Sequence, residues 1–166
     1  DEIWQSEAGL FTIAGGKLTG YRKMAETIVD KISKQLGNEK YGPCVTKRLA
    51  LSGGDIGGSE QWEAFLTQKE QMAPAYGLSR IEGRKLAKMY GTNVDKVFQN
   101  AQILSTIPST LPLSLIAQIY YAVHEEMAYS PVDFLVRRTG MLYFDILHFK
   151  EYKEEVVKVM EQLLHY

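Results

Sequence analysis

The stretch Gly9-Leu10-Phe11-Thr12-Ile13-Ala14-Gly15-Gly16-Lys17-Leu18-Thr19-Gly20-Tyr21-Arg22 decides the reading of the chain, because its residue pattern changes period at the glycine pair. Before the pair, Gly9 to Ala14 is a short apolar run of β-compatible residues, which predicts a buried strand. After it, Leu18, Tyr21, Ala25, Ile28, Ile32 and Leu36 recur at three- and four-residue steps. Lys23, Glu26, Asp30 and Lys34 fall off that stripe, the pattern of a half-buried helix. Gly37-Asn38 supplies its stop. Residues 9–37 thus read as a strand, a glycine turn and a helix.

Beyond this unit the pattern is interrupted. Tyr41-Gly42-Pro43 and then Leu51 to Gly58 place five glycines in a stretch without periodicity, which reads as a connection over residues 41–58. From Ser59 onward, helix signals follow one another. Ser59 precedes Glu60-Gln61-Trp62, Ser79 and Glu82 have capping-box spacing, Gly91 is a stop, and Thr92 with Asp95 marks the next start. Pro112 fits the first turn of a helix reaching about Tyr129, whose Leu113, Leu115, Ile116, Ile119, Tyr120 and Val123 are apolar on nearly all sides; that helix is expected to be central. Ser130-Pro131-Val132-Asp133 opens another by the Ser-cap and early-Pro rule. The last segment carries Tyr152, Val156, Val159, Met160, Leu163 and Leu164 on one face and is expected to dock through it. The fold class is therefore mainly α, with an all-helical C-terminal domain over residues 59–166 preceded by the strand, Gly-Gly turn and helix of residues 1–40.

With 166 residues and 45% hydrophobic content the chain can bury a real core. Its 19 Lys+Arg against 20 Asp+Glu leave a net charge of −1, which removes the positive field that nucleic-acid binding uses, so no nucleic-acid partner is expected. One cysteine, Cys44, forms no internal disulfide, and the widely spaced His124, His148 and His165 make no metal cage. A reducing, cytoplasmic setting fits this usage. The longest apolar run, Ile119 to Val123, falls far short of the roughly 20 residues of a membrane span. Asp1-Glu2-Ile3-Trp4 lacks the basic start of a signal peptide.

Several familiar sites fail on spacing. Gly16-Lys17 lacks the P-loop glycine five positions earlier, where Phe11 stands, and Leu18 replaces the metal-binding Ser/Thr. His124-Glu125-Glu126-Met127-Ala128 starts like a zinc-protease helix but has Ala128 in place of the second histidine. No Gly-x-Ser-x-Gly elbow occurs, and no histidine is near Cys44 in sequence. What remains is the turn from Ala14 to Arg22. A glycine pair feeding a helix lets the backbone approach a ligand closely and aims unpaired N–H groups at any anion there. Lys17 at a helix start is electrostatically unfavourable, since both are positive. Either its ammonium turns to solvent in a plain tight turn, or something anionic compensates it.

The segment Leu10 to Glu26, with Ile13-Ala14-Gly15-Gly16-Lys17-Leu18-Thr19-Gly20-Tyr21-Arg22 at its centre, resembles the closing segment of the FAD domain in FAD-dependent glycerol-3-phosphate dehydrogenases. A second stretch, His124 to Thr139, is similar to the Glu…Asp-x-Leu-x-Arg-Arg-Thr signature of the helical C-terminal domain in that family. The phrasing resembles the enzymes of Gram-positive bacteria. The family's dinucleotide fingerprint and substrate-binding sheet are absent from these residues, so the resemblance implies a C-terminal fragment, inactive alone. It implies FAD in the intact protein, with the FAD-binding and substrate domains on the same polypeptide. The reaction it implies takes sn-glycerol 3-phosphate to dihydroxyacetone phosphate by hydride transfer to FAD. Electrons then pass to quinone at the membrane surface, with the parent peripheral on the inner membrane face.

Carried over residue by residue, the resemblance places Gly15, Gly16, Lys17, Leu18 and Thr19 at the N1 and O2 edge of the flavin, with Lys17 as the catalytic candidate and no metal. Arg22, one turn inward, either joins that site or pairs with Glu26. Arg137 and Arg138 have the form of a phosphate clamp, but Asp133 four residues before Arg137, and Glu125 or Glu126 in the preceding helix, favour a structural role. His124 is read as an interior residue, and the glycines from Gly53 to Gly58 as linker. An α-glycerophosphate oxidase handing electrons to oxygen has the same fold. A non-catalytic helical interaction module is the alternative of another class.

Overall fold

The computed structural model describes residues 2–37, 42–106 and 109–164, and it divides the chain into two compact units, Asp1–Ala50 and Leu51–Tyr166. The boundary read between residues 40 and 41, and Asn38 of the expected stop, lie outside the described residues.

In the first unit, β2 (Phe11–Ala14) pairs antiparallel with β1 (Glu2–Gln5), Ile3 facing Ile13 and Gln5 facing Phe11. The loop is closed by Ser6, whose carbonyl accepts from Gly9 N and whose hydroxyl accepts from Leu10 N. Gly9 has φ +87°, where a side chain would be strained. A 3-10 turn (Leu18–Gly20) leads into α1 (Tyr21–Gln35), which ends where Leu36 N donates to Ile32 O and Gly37 takes φ +65°. The expectation of a buried strand needs correction. No described residue of this unit is buried, and the helical stripe leaves Leu18, Tyr21 and Leu36 exposed, so the unit does not bury within itself the apolar faces that the sequence marks.

The second unit holds α2 (Trp62–Met72), α3 (Arg80–Tyr90), α4 (Val94–Leu104), α5 (Leu113–Glu126), a π-helical segment (Asp133–Arg138), α6 (Met141–Phe144) and α7 (Ile146–Leu164). The mainly α expectation is borne out. Its core has two parts. Leu66, Leu86, Val94, Val97 and Phe98 form one, while Phe134, Val156 and Met160 belong to the other. α5 serves both, as its all-round apolar character demanded: Ala117 and Tyr121, one turn apart, face the first, and Leu115, Ile116, Ile119 and Ala122 face the second. Val156 and Met160 of α7 are fully buried and Leu163 packs beside them, so the last helix docks through the expected face.

Caps fix the order of these helices. Ser79 Oγ accepts from Glu82 N (3.2 Å) and Glu82 Oε2 accepts from Ser79 N (2.8 Å), the expected capping box. The other oxygen of Glu82 accepts from Ser114 Oγ (2.7 Å), tying the start of α3 to α5. Burial opposes ionisation of Glu82, but the Ser114 and Ser79 donors outweigh it and hold the carboxyl below its usual range. Other starts differ from expectation. The residue before α4 is Asn93, reached through a 3-10 turn (Gly91–Asn93), and Thr92 makes no side-chain cap; Pro112 occupies the cap of α5 and not its first turn. Lys69 is 7% exposed, its Nζ 2.6 and 2.8 Å from the two oxygens of Asp95, which bolts α2 to α4.

α5 stops at Glu126, short of Tyr129, because Met127 turns left-handed (φ +55°, ψ +36°) and Ala128 N donates back to Ala122 O. Met127 is 87% exposed, so its side chain contributes little packing to offset its backbone conformation. Met127→Gly is expected to stabilise the protein by about 1 kcal/mol. A denaturant midpoint at or below that of the parent protein would refute this.

Candidate functional site

The turn between β2 and α1 presents the residues singled out by sequence. Gly15, Gly16, Lys17, Leu18 and Thr19 are contiguous and exposed, Leu18 to 91%. Lys17 is extended (φ −112°, ψ 121°) and its carbonyl accepts from Gly20 N at 3.0 Å, which closes the 3-10 turn. The amides of Leu18 and Thr19 open that turn, where no intrahelical acceptor precedes them. The Lys17 ammonium meets no carboxylate or other acceptor among the described residues. A Cβ on Gly16 would meet nothing beyond the adjoining residues within 4 Å, and its φ is not in the glycine-only region, so neither packing nor backbone within this unit calls for glycine there.

Behind the turn, Arg22 takes the structural option. Its Nη1 lies 2.7 Å from Glu26 Oε2 and donates to Thr46 Oγ1 at 3.2 Å. Lys23 Nζ closes on the other Glu26 oxygen at 2.6 Å, and Lys23 and Arg22 together hold this carboxyl below its usual range. Thr46 also meets Cys44 Sγ at 3.0 Å. Sequence reading did not single out Thr46, which lies 24 positions from Arg22 with no local pattern to mark it.

The remaining candidates resolve into scaffold. Arg137 pairs with Asp133 at 2.5 Å; Arg138 donates to the carbonyl of Glu126 at 2.7 Å, a cation on the last turn of α5. Asp133 Oδ2 accepts from the amides of Tyr129 and Ser130 and from the Ser130 hydroxyl. The Ser130 and Arg137 donors hold the Asp133 carboxyl down. This arrangement binds the π-helical segment to α5, as the charge pattern indicated. Glu125 pairs instead with Lys96 of α4. His124 is exposed, contrary to expectation: it lies on the outer side of α5, its ring 5.8 Å from that of Tyr120. Among the described residues no His/Cys/Asp/Glu group has the makings of a metal site, and no helix is long and apolar enough to cross a membrane.

Residues 44–166 match the family described as the C-terminal domain of alpha-glycerophosphate oxidase. The chain belongs to that family. Consistent with this membership, it is 47% identical over its whole length to the aerobic glycerol-3-phosphate dehydrogenase of Staphylococcus aureus (strain USA300), of which it covers 30%. The same values hold for the enzyme of strain NCTC 8325. Its fold matches the glycerol-3-phosphate dehydrogenase from Bacillus halodurans complexed with FAD, with a TM-score of 0.91 and 42% identity over 99% of this chain and 33% of that one. The resemblance to glycerol-3-phosphate dehydrogenases is thereby borne out. The chain spans under a third of the length of the curated relatives it matches.

Proposed function

We propose that this chain forms the closing turn and helical cap of an FAD-dependent dehydrogenase that oxidises sn-glycerol 3-phosphate to dihydroxyacetone phosphate. In this reading residues 1–40 close the FAD-binding domain and residues 59–166 form the cap, joined by residues 41–58, of which those from Leu51 belong to the compact unit of the cap. The observation that carries it is the exposed turn itself: a lysine without a counter-charge, amides without acceptors, and a glycine that nothing in its own unit requires. The exposed faces of β1, β2 and α1 fit cover by the FAD-binding and substrate domains of a longer polypeptide, since a helix in water keeps such a stripe only against a neighbour.

FAD, when bound, supplies the hydride acceptor. Gly15 and Gly16 admit close approach, and the amides of Leu18 and Thr19 offer donors to the N1 and O2 edge. The Lys17 ammonium stabilises negative charge where hydride transfer delivers it. The family description favours a second reading of the acceptor, an α-glycerophosphate oxidase that reduces oxygen to peroxide in place of membrane quinone. The dehydrogenase reading places the parent in the cytoplasm, peripheral on the inner membrane face.

The 166-residue chain is expected to purify colourless, because one turn cannot recover the entropy of immobilising a dinucleotide. The intact polypeptide is expected to purify yellow and to be bleached by sn-glycerol 3-phosphate without oxygen. Peroxide release against reduction of a quinone dye then separates the two acceptors. Stoichiometric flavin on the short chain, or an intact protein whose flavin glycerol 3-phosphate does not reduce, would overturn the reading.

A further inference from the structure

α3 buries one half of its surface and keeps the other in solvent, and the two halves differ in charge as well as polarity. Gly83, Leu86, Ala87 and Tyr90 face the core. At about 100° per residue, Arg80, Arg84, Lys88, Ile81, Lys85 and Met89 fall in succession over the opposite half turn. That half carries four cations and no acid. Ordinary solvated helices mix signs, as α7 does, where Glu151, Glu154 and Glu155 alternate with Lys150, Lys153 and Lys158 and one such pair closes at 3.3 Å. On α3 the like charges at four-residue spacing, Arg80, Arg84 and Lys88, destabilise the isolated helix instead.

Only part of this charge is answered within the chain. Arg84 reaches Glu63 at 2.6 Å and Glu70 at 3.4 Å. Arg80, Lys85 and Lys88 make no ion pair or side-chain hydrogen bond among the described residues. The acids around the face are already engaged, Glu63 and Glu70 by Arg84, and Asp145, which attracts Lys85 at longer range, by His148 at 2.8 Å. Between the free cations stand Ile81, 82% exposed, and Met89, 41% exposed.

We infer that the outer face of α3 docks an acidic amphipathic polypeptide segment, whose carboxylates meet Arg80, Lys85 and Lys88 and whose apolar residues cover Ile81 and Met89. Carboxylates repeated once per turn match the cation spacing, and methionine adapts its shape to an apolar partner. A lipid surface fits less well: Ile81 and Met89 are about 12 Å apart along the helix with Lys85 between them, no aromatic residue stands with them on the outer half of α3, and the continuous apolar half of α3 is already in the core. A nucleic-acid duplex would offer phosphates to Arg80, Lys85 and Lys88 but no apolar side chains to cover Ile81 and Met89.

The test titrates the 166-residue protein into a fluorescein-labelled acidic peptide of Glu and Leu, with the Gln-for-Glu peptide as control, and follows anisotropy. The parent protein is expected to bind only the acidic peptide, more weakly as salt rises from about 50 to 200 mM. The variant Arg80→Glu/Lys85→Gln/Lys88→Gln, all at solvent-facing positions, is expected to lose at least about tenfold in affinity while keeping its circular dichroism spectrum. Ile81→Ala/Met89→Ala is expected to weaken binding about three- to tenfold with the salt slope unchanged. Lys150→Gln/Lys153→Gln on α7 is expected to bind like the parent protein. Equal binding by the triple variant overturns the inference, as does failure of the parent protein to bind. Capture by phosphatidylglycerol vesicles or duplex DNA in preference to the peptide also overturns it, as does an α3-dependent dimer in sedimentation.

Discussion

In the intact flavoenzyme, Lys17→Ala is expected to slow anaerobic reduction of the flavin by glycerol 3-phosphate about a hundred- to a thousandfold, equivalent to ~2.7–4 kcal/mol. The structure leaves Lys17 exposed on a turn and without an acceptor of its own, so its removal breaks nothing within the chain. An exposed lysine of no further role changes stability by no more than ~0.5 kcal/mol. The amides of Leu18 and Thr19 remain in the variant, so the loss is partial. Flavin content is measured together with the rate, because lost cofactor mimics lost chemistry. A variant that keeps its flavin and reduces it at the parental rate identifies Lys17 as a solvated turn residue. Gly16→Ala supplies an independent reading: with no atom beyond the adjoining residues within 4 Å of the new methyl, the short chain is expected to tolerate it within ~0.5 kcal/mol, while the flavoenzyme loses flavin affinity.

The second large effect is expected far from that turn. Gly91, between α3 and α4, has φ +56° and ψ −136°, a combination that only glycine adopts cheaply, and a Cβ there would lie 1.9 Å from the carbonyl oxygen of Gly53. The approach is mutual, since a Cβ on Gly53 would lie 2.6 Å from the Tyr90 carbonyl oxygen. Thr92 N donates to Gly53 O at 2.9 Å and Asn93 Nδ2 to Ser52 Oγ at 2.8 Å. A methyl on Gly91 must both strain its backbone and push the Ser52-Gly53 segment off these bonds, because the obstructing atoms are backbone and do not swing aside. Gly91→Ala is expected to destabilise the second unit by about 2–6 kcal/mol, the sum of backbone strain and overpacking. Thermal or denaturant unfolding reads this directly, and a variant that unfolds with the parent protein would show that the contact between the two glycines is not a constraint.

That contact also marks where sequence reading stops. The helix starts at Ser79 and Ser130 were visible because a cap and its partner lie within four residues. The meeting of Gly53 with Gly91 joins positions far apart in the chain, and nothing local announces it, so a packed segment reads as linker. β1 escaped for lack of signal: Glu2-Ile3-Trp4-Gln5 has two apolar residues side by side and no alternation. The π-helical turn of Asp133–Arg138 is too short for its wider period to separate from an ordinary helix, although its cap and its Asp133–Arg137 pair were visible. His124 was misplaced because an apolar composition does not say which side of α5 lacks a neighbour. The turn from Gly15 to Thr19 was legible as a place, since glycines, a lysine and a change of period coincide there; its chemistry rested on resemblance.

The hairpin of β1 and β2 is a sheet with two strands, so each strand has one side without a ladder partner among the described residues. Such an edge is a template. Its N–H and C=O groups keep the spacing that another extended segment needs, and Ile3, Trp4, Phe11 and Ile13 supply apolar side chains along it. Two strands alone are marginal in water, and neither carries a lysine or proline to repel a visitor. Expressed apart from neighbouring strands, the chain therefore carries its aggregation hazard at its N-terminal end, in the residues that a larger sheet would enclose, while the helical remainder presents no such edge among its described residues.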